Sequence, residues 1–281
     1  MLFTQNSGVR YLAEIASGAL IEEASLSPKP GLVDRRSSGS HTDMNFELMC
    51  ASARTLKPYF EEMAKASWNR PVSKGLREDI GEIGRRAEIA MLETTGGVNT
   101  HKGAIWALGL LLSASASGRM LHGAHRLMDQ AGAIARIEDS NVKAQKTHGS
   151  EVKSKYRCFG AKEEAQFGFP HIRLFGLPAL CASRRRGEGL VVSQLNSLIA
   201  VLSDLNDTCV LYRGGLESLH KTQSKCRSIL RAGGAGSAQG EKLLEDMDCW
   251  MKASSLSPGG AADLLAATLF VHRMSDIHNI Q

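Results

Sequence analysis

The chain has 281 residues, of which 43% are apolar, 22% charged and 5% aromatic. This composition excludes a disordered chain and suits one large domain or two modest ones. The 34 Lys and Arg residues against 29 Asp and Glu give a net charge of +5, which fits phosphate-bearing small molecules as well as nucleic acid. The 28 glycines follow no repeat and indicate tight backbone approaches rather than a flexible linker.

The cysteines and the apolar segments limit the classes of protein further. None of the six cysteines forms a Cys-x-x-Cys pair, which argues against a zinc ribbon or a redox pair. The first residues do not form a secretory signal, and the longest uncharged apolar stretch, 103–118, is too short to cross a bilayer. We therefore expect a reduced, soluble, cytoplasmic protein with no membrane partner.

Apolar residues recur at steps of three and four along most of the chain, the period of an amphipathic helix. The clearest stripe consists of Leu76, Ile80, Ile83, Ala87 and Met91. Similar stripes predict helices over 8–25, 46–65, 101–117, 119–138, 188–212, 214–231, 239–252 and 258–273. No convincing alternating strand is present. We predict an all-α fold in which residues 1–281 form a single multi-helix globular domain.

Three stretches, 27–44, 141–155 and 182–189, lack the helical period. Long loops inside a compact domain are usually functional or disordered. We interpret the first as functional, because it holds residue types that bind phosphate and metal ions: Lys29, Asp34, Arg35, His41 and Asp43. The other two stretches are basic and are more often solvated loops.

Residues 94–103, TTGGVNTHKG, predict a corner between two helices. The paired glycines end the first helix, and Asn99 or Thr100 can cap the second. His101 and Lys102 then fall in the first turn, where the helix dipole disfavours cations. An anion bound to the free backbone N–H groups would explain the lysine, although an ordinary corner with a solvated lysine explains it equally well.

Residues 257–271, SPGGAADLLAATLFV, predict a second helix start. Ser257 is a good N-cap residue, and Gly259 and Gly260 leave backbone amides uncovered for an anion. Asp263 is the only charged residue between 258 and 271, in a helix that is apolar almost all round. Because burial of an unpartnered carboxylate is costly, we expect a cation, a metal or hydrogen-bond donors beside Asp263. The alternative is that its carboxylate interacts only with the dipole at the start of its own helix.

Two further charged residues lie near apolar helix faces. Glu88 falls at the edge of the stripe that begins at Leu76. Arg213 falls on the apolar face of a predicted helix centred on Leu202, with Asp207 on another face, and an arginine there needs an anionic partner.

Taken together, these segments make the sequence similar to the triphosphoribosyl-dephospho-CoA synthase family, which serves malonate decarboxylase and citrate lyase. The matching stretches are SPKPGLVDRRSSGSHTDM, RRAEIAMLETTGGVNTHKGAIWALGLL, FGAKEEAQFGFP, LNDTCVLYRGG and SPGGAADLLAATLF, which span 27–270. The resemblance implies an all-helical enzyme that joins ATP to 3′-dephospho-CoA and releases adenine. In that reaction the 2′-hydroxyl of dephospho-CoA attacks the ribose C1 of ATP.

The implied reaction assigns expected roles to the residues above. Displacement at C1 builds oxocarbenium character, which a carboxylate can stabilise, and a triphosphate requires cations, backbone donors and Mg²⁺. We expect catalysis from Glu88 as the base, His101 in adenine departure, and Lys102. The expected substrate-binding residues are Lys29, Arg35, His41, Asn99, Thr100, Arg213, Ser257, Gly259 and Gly260. The expected magnesium ligands are Asp34, Asp43, Asp207 and Asp263.

The resemblance also implies that the product passes to a transferase acting on an acyl carrier protein. A compact, free-standing chain favours malonate decarboxylase over citrate lyase as the end user, and the apolar helix faces could support a homodimer. One alternative is a Mg²⁺-dependent hydrolase that cleaves an N-glycosidic or phosphate bond of one nucleotide. Another is a non-catalytic basic helical module, but no recognition helix, stacking pattern or zinc spacing supports it, and we expect no nucleic-acid partner.

Overall fold

A computed structural model of the chain describes residues 4–120, 123–142 and 147–279. This part of the chain is helical and contains no strand, so the predicted all-α fold is confirmed. A π-helical turn, Ile172–Gly176, runs directly into α8. The helices are α1 (Gln5–Ser25), α2 (Phe46–Ser67), α3 (Lys74–Thr94), α4 (Lys102–Ser117), α5 (Ala124–Arg136), α6 (His148–Tyr156), α7 (Ala161–Gln166), α8 (Leu177–Arg185), α9 (Leu190–Leu202), α10 (Thr208–Arg231), α11 (Ala238–Ala253) and α12 (Gly259–Asn279).

Helix α4 lies at the centre of the arrangement. It packs against α1, α2, α3, α5 and α12. Its residues from Ala104 to Ala116 are buried with the exception of Trp106, which is half-buried, because the segment is apolar on every face. One continuous cluster of buried apolar side chains extends from α1 to α12 around this helix. The start of α4 is therefore held inside the protein, where the neighbouring helices α1 and α12 can reach it.

The amphipathic stripe of α3 is buried as predicted, and its five apolar residues all belong to the core. Polar caps mark several helix starts: the side chains of Asn45, Ser73 and Ser237 accept backbone N–H groups of α2, α3 and α11. Local sequence thus defines where these helices begin, and burial of their apolar faces holds them in place.

The predicted helix over 188–212 is wrong, because α9 ends at Leu202 and α10 begins at Thr208. The break contains Asp207, whose carboxylate caps α10. Arg213 consequently lies on α10 and is exposed, instead of lying on an apolar face of α9. The chain of α10 changes direction at Gly215.

The two basic stretches that we predicted as solvated loops are partly helical. Helix α6 covers most of 147–155, and residues 143–146 lie outside the described residues. Helix α8 extends into the other stretch and ends at Arg185, where Arg184, Arg185 and Arg186 are exposed as expected of a solvated segment. No helix in the described ranges has the length and apolarity needed to cross a membrane.

Candidate active site

A cavity of about 530 Å³ opens where α1, the 27–44 loop, the start of α4, α10 and α12 meet. Sequence positions far apart in the chain contribute to its wall. The predicted site residues that line it are Lys29, His41, Asp43, Asn99, Thr100, His101, Arg213, Ser257, Gly259 and Asp263. The three segments singled out in the sequence therefore converge on one site.

A buried ion pair forms one wall of this cavity. Lys29 Nζ lies 2.5 Å from Glu23 Oε1, and the two side chains are only 1% and 4% exposed. Burial raises the pKa of Glu23, and the charge and hydrogen bond of Lys29 oppose that effect. Glu23 is absent from the expected site residues. The sequence could have indicated its burial, because Glu23 lies at a helical spacing of three or four residues from the buried residues Ala16, Ala19 and Leu20 on α1.

His101 carries a ring nitrogen that no described residue contacts by a hydrogen bond. The residue is 2% exposed, and its Nδ1 lies 2.8 Å from Ser52 Oγ, which in turn lies 2.7 Å from Thr100 Oγ1. Its Nε2 is buried without a hydrogen-bond partner in the described protein. Burial and the charge of Lys29 lower the pKa of His101 to about 3, so the ring is neutral at physiological pH. A neutral ring held on one nitrogen leaves the other available to a ligand.

Asp263 presents a carboxyl group of altered acidity to the same cavity. Burial raises its pKa well above the usual range, and the carboxyl groups of Glu23 and Asp207 raise it further, while the backbone N–H of Ala104 opposes the shift. A Cβ atom on Gly103 would lie 2.0 Å from Asp263 Oδ2, so only glycine lets α4 approach this closely. The donors expected beside Asp263 thus come from the start of α4.

The rim of the cavity is held by a polar cluster on the 27–44 loop, α10 and the segment before α12. His41 Nε2 lies 2.8 Å from Ser257 Oγ, and Arg213 donates to the carbonyl oxygen of Ser255 at 3.0 Å. Arg213 Nη2 lies 3.4 Å from His41 Nδ1, and exposed Asp43 lies 3.5 Å from the same nitrogen. Arg213 has backbone carbonyl partners at this rim, so its positive charge is available to an anion.

The α3–α4 corner closes the cavity on another side. Gly96 and Gly97 adopt φ values of +64° and +92°, which favour glycine, and a Cβ atom at either residue would meet no other atom within 4 Å. Helix α4 begins at Lys102, with His101 as its N-cap residue, and Asn99 Oδ1 accepts the N–H of Lys102 at 3.1 Å. The N-cap residue is therefore His101 and not Asn99 or Thr100 as predicted, and His101 lies before the first turn instead of in it, although the Asn99 side chain does accept the first backbone N–H of the helix.

Two of the expected magnesium ligands have other partners. Asp207 caps two helices at once, because its carboxylate accepts the N–H groups of Cys209, Val210 and Ala261 at 2.8, 3.0 and 2.9 Å. Gly260 also donates its N–H to Asp207, so the amides at the start of α12 are not left uncovered as we expected. These bonds join α10 to α12 and position the helix that carries Asp263.

Asp34 likewise organises its own loop. Its carboxylate accepts the backbone N–H groups of Lys29, Arg36 and Ser37 at 3.3, 2.7 and 2.9 Å. Burial acts to raise its pKa, but the hydrogen bonds from these amides oppose burial, and the pKa is lowered. Within the described part of the chain, no group of three or more His, Cys, Asp or Glu side chains is arranged to hold a metal ion.

The remaining expected site residues lie outside the first cavity. Lys102 Nζ lies 3.0 Å from Glu88 Oε2, and both line a second cavity of about 1000 Å³. The guanidinium carbon of Arg35 lies 4.7 Å from the centre of the Phe46 ring. Glu88 is therefore separated from the cavity that contains His101 and Asp263.

Residues 9–281 match the model of the CitG family, described as ATP:dephospho-CoA triphosphoribosyl transferase. The chain belongs to the CitG family. It is 48% identical to the 2-(5″-triphosphoribosyl)-3′-dephosphocoenzyme-A synthase of Klebsiella pneumoniae, over 96% of each chain. It is 49% identical to the probable synthase of the same name from Pseudomonas syringae pv. syringae, over 92% of this chain and 90% of that relative. No solved structure matches the chain significantly.

Membership of the CitG family confirms the resemblance stated from the sequence motifs. The chain is an enzyme of the transferase class, and ATP is a substrate of its family. The family match covers every element that lines the first cavity, from α1 to α12.

Proposed function

We propose that this CitG-family enzyme transfers the 5-triphosphoribosyl group of ATP to the 2′-hydroxyl of 3′-dephospho-CoA in the 530 Å³ cavity. One observation carries the assignment to this cavity: a buried lysine, a carboxyl group of raised pKa and a neutral histidine whose Nε2 has no described partner line the same wall. In the reaction, the bond between ribose C1 and the adenine nitrogen breaks, and a bond from C1 to the acceptor oxygen forms. The acceptor hydroxyl loses one proton and adenine gains one.

We assign the role of general base to Asp263 instead of Glu88. Asp263 lines the cavity together with His101 and Lys29, and a carboxylate beside the acceptor hydroxyl can take up its proton. In its ionised form, Asp263 would also stabilise the oxocarbenium character that develops at C1. Glu88 does not line this cavity, because it faces the second cavity and pairs with Lys102.

His101 is suited to bind the departing adenine. Its Nε2 is buried and has no hydrogen-bond partner among the described residues, and its ring is held by Ser52 through Nδ1. Since the ring stays neutral at physiological pH, it acts by a hydrogen bond to the purine and does not deliver a full proton as an imidazolium would.

The triphosphate requires positive charge, and the cavity supplies Lys29 and Arg213. Mg²⁺ commonly keeps several waters and binds one or two carboxylates together with substrate phosphates, so a three-residue protein cluster is not required. Asp43 fits this role best, because it stands at the rim with its side chain 58% accessible, 3.5 Å from His41. A magnesium ion held there by Asp43 and phosphate oxygens would neutralise the triphosphate.

The test is to incubate the purified protein with ATP, Mg²⁺ and 3′-dephospho-CoA, and to follow adenine by chromatography and the coupled product by mass. We expect adenine and product in equal amounts. Adenine from ATP alone would instead indicate a hydrolase, and no adenine with both substrates would refute the transfer reaction.

Three variants test the assignment of the base in the same assay. We expect Asp263→Asn to lower kcat by about 10²- to 10⁴-fold, the range for loss of a general base. Glu88→Gln and the exposed Asp246→Asn on α11 should keep kcat within about twofold, since surface changes of this kind have small effects. A large loss in Glu88→Gln together with a normal Asp263→Asn would return the role of base to Glu88.

The use of the product belongs to the same proposal. We propose that a transferase attaches the product to an acyl carrier protein, that of malonate decarboxylase being the favoured one. The homodimer expected from the apolar helix faces stays a prediction, which sedimentation of the purified chain would test.

A further inference from the structure

The second cavity has no role in the transfer chemistry described above. It has a volume of about 1000 Å³ and lies between α3, α4 and α5. Its wall combines Lys102 and two arginines, Arg77 and Arg85, that are ion-paired with the buried side chain of Asp139. The apolar side chains of Ile89 and Leu92 complete this wall. A large cavity of mixed charged and apolar character is typical of a small-molecule site.

The two cavities share the α3–α4 corner as a wall. Gly96, Gly97 and His101 face the first cavity, whereas Leu92 and Lys102, on either side of them in the chain, face the second. A ligand that passes around this corner would therefore contact both cavities. Lys102 stands where such a ligand would cross, and its side chain is 39% exposed.

The sizes of the cavities indicate that one substrate extends beyond the first. Cavities of roughly 300–1,000 Å³ hold one drug-sized ligand. The first cavity, at about 530 Å³, must accommodate ATP and at least the ribose of the acceptor. The acceptor 3′-dephospho-CoA also carries a diphosphate and a long pantetheine arm, for which the first cavity leaves little room.

The lining of the second cavity suits that arm. Ile89 is 57% exposed and Leu92 is 38% exposed, and their spacing of three residues places them together on α3 as an accessible apolar surface for a ligand. Arg77 is buried, lies 5.1 Å from the centre of the Trp106 ring and has an Nε donor without an acceptor in the described protein. Pantetheine offers a gem-dimethyl group to the apolar side chains and two amide carbonyls as acceptors.

We propose that the second cavity binds the pantetheine arm of 3′-dephospho-CoA, with Lys102 at the diphosphate where the arm passes around the α3–α4 corner. This inference rests on the proposed function. The ion pair between Lys102 and Glu88 is half-exposed, and such pairs contribute little stability, so a diphosphate can replace Glu88 as the partner of Lys102.

Two variants change the second cavity while leaving the first intact. Gly84→Leu fills the second cavity, and its Cβ would meet only Met63 Cε at 3.5 Å, an ordinary contact. Ile89→Asp makes the apolar lining charged at an exposed position that tolerates a polar residue. Gly75→Leu is the matched control, because Gly75 lies in the first turn of α3 and its Cβ would meet only Arg70 Nη2, at 3.9 Å.

The probe for direct binding is 4′-phosphopantetheine, which carries the arm but no nucleoside. We expect calorimetry to show binding to the wild type and to Gly75→Leu, and at least about tenfold weaker binding to Gly84→Leu and Ile89→Asp. In the adenine assay, the two cavity variants should raise KM for 3′-dephospho-CoA by about tenfold or more and leave KM for ATP unchanged. 4′-Phosphopantetheine should compete with 3′-dephospho-CoA and not with ATP.

Several results would overturn the proposal. One is an unchanged KM for 3′-dephospho-CoA in both cavity variants, and another is an equal rise of KM for both substrates. A third is the absence of 4′-phosphopantetheine binding to the wild type. Failure of the proposed function would appear differently, as a wild-type protein that releases no adenine whatever the state of its second cavity.

Discussion

Asp207 provides a sharp test of how the site is built, because the sequence and the structure give it different roles. The sequence suggests a magnesium ligand, whereas in the structure its carboxylate accepts three backbone N–H groups of α10 and α12 at 2.8–3.0 Å. We predict that Asp207→Ala and Asp207→Asn destabilise the fold and that neither changes the magnesium requirement directly.

The size of the expected loss of stability follows from the number of backbone N–H donors that lose their acceptor. Each buried N–H left unpaired costs about 1–3 kcal/mol. For Asp207→Ala, the three amides above and that of Gly260 lose their acceptor and cost about 4 kcal/mol at the low end of that range, a large fraction of a typical stability of about 5–15 kcal/mol. Asp207→Asn keeps one acceptor oxygen, but it places an amide NH₂ against a backbone donor and loses the charge at two helix starts, for about 2 kcal/mol.

Guanidinium denaturation followed by far-UV circular dichroism measures the free energy of unfolding of both variants. Titration of adenine release with Mg²⁺ measures the metal requirement. Exposed Asp246→Asn is the matched control, expected within about 0.5 kcal/mol of the wild type. If Asp207→Asn kept wild-type stability while it raised the Mg²⁺ concentration for half-maximal activity about tenfold, Asp207 would be a metal ligand and our capping interpretation would fail.

Three further predictions concern the cavity and the α7–π-turn region. Gly103→Ala places a methyl group 2.0 Å from Asp263 Oδ2, so kcat should fall by roughly 10²-fold, the lower end of the loss expected for Asp263→Asn. Gly75→Ala should leave kcat normal in the same assay. Ser52→Ala removes the partner of His101 Nδ1 and should lower kcat about tenfold or more with little change in KM for ATP, and Ser52→Thr should restore part of the loss. Burial acts to lower the pKa of His171, but the hydrogen bond and charge of Glu164 outweigh burial and raise it. The His171–Glu164 pair should therefore stabilise the fold fully below about pH 6.5, and this contribution should be lost as pH rises through the folded-state pKa of His171. The measurement is the melting temperature of the wild type and of His171→Gln as a function of pH. If the melting temperature of His171→Gln falls with rising pH as steeply as that of the wild type, the pairing is contradicted.

Helices can be predicted from the sequence where apolar periodicity and capping residues agree. The predicted helix bounds are wrong where a capping residue lies inside a continuous apolar pattern. Around Asp207, the pattern VVSQLNSLIAVLSDLNDTCVLY reads as one helix, yet α9 ends at Leu202. The Asp207 carboxylate starts a new helix, α10, and also accepts the N–H of Ala261 in α12, 54 residues later. No local signal reports that tertiary pairing. The sequence pattern therefore predicts Asp207 and Arg213 on faces of a single helix, where the structure has two, α9 and α10.

Carboxylates illustrate the same limit within the site. Glu88 reads as an acid at the edge of a buried helix face, and Asp263 reads as a buried acid in a helix that is apolar almost all round. Apolar periodicity predicts which face of a helix is buried, but it does not predict which residues of other helices that face contacts. Helix α4 decides between them, because its start offers Gly103 to Asp263 on one side and Lys102 to Glu88 on the other. One turn of helix thus separates a carboxyl group of raised pKa in the first cavity from an ordinary surface ion pair in the second. The TTGGVNTHKG corner is informative for this reason. His101 directs its side chain into the first cavity, Lys102 directs its side chain into the second, and Gly103 leaves space for Asp263. A single corner therefore positions the base, the adenine contact and, on our proposal, the path of the acceptor arm.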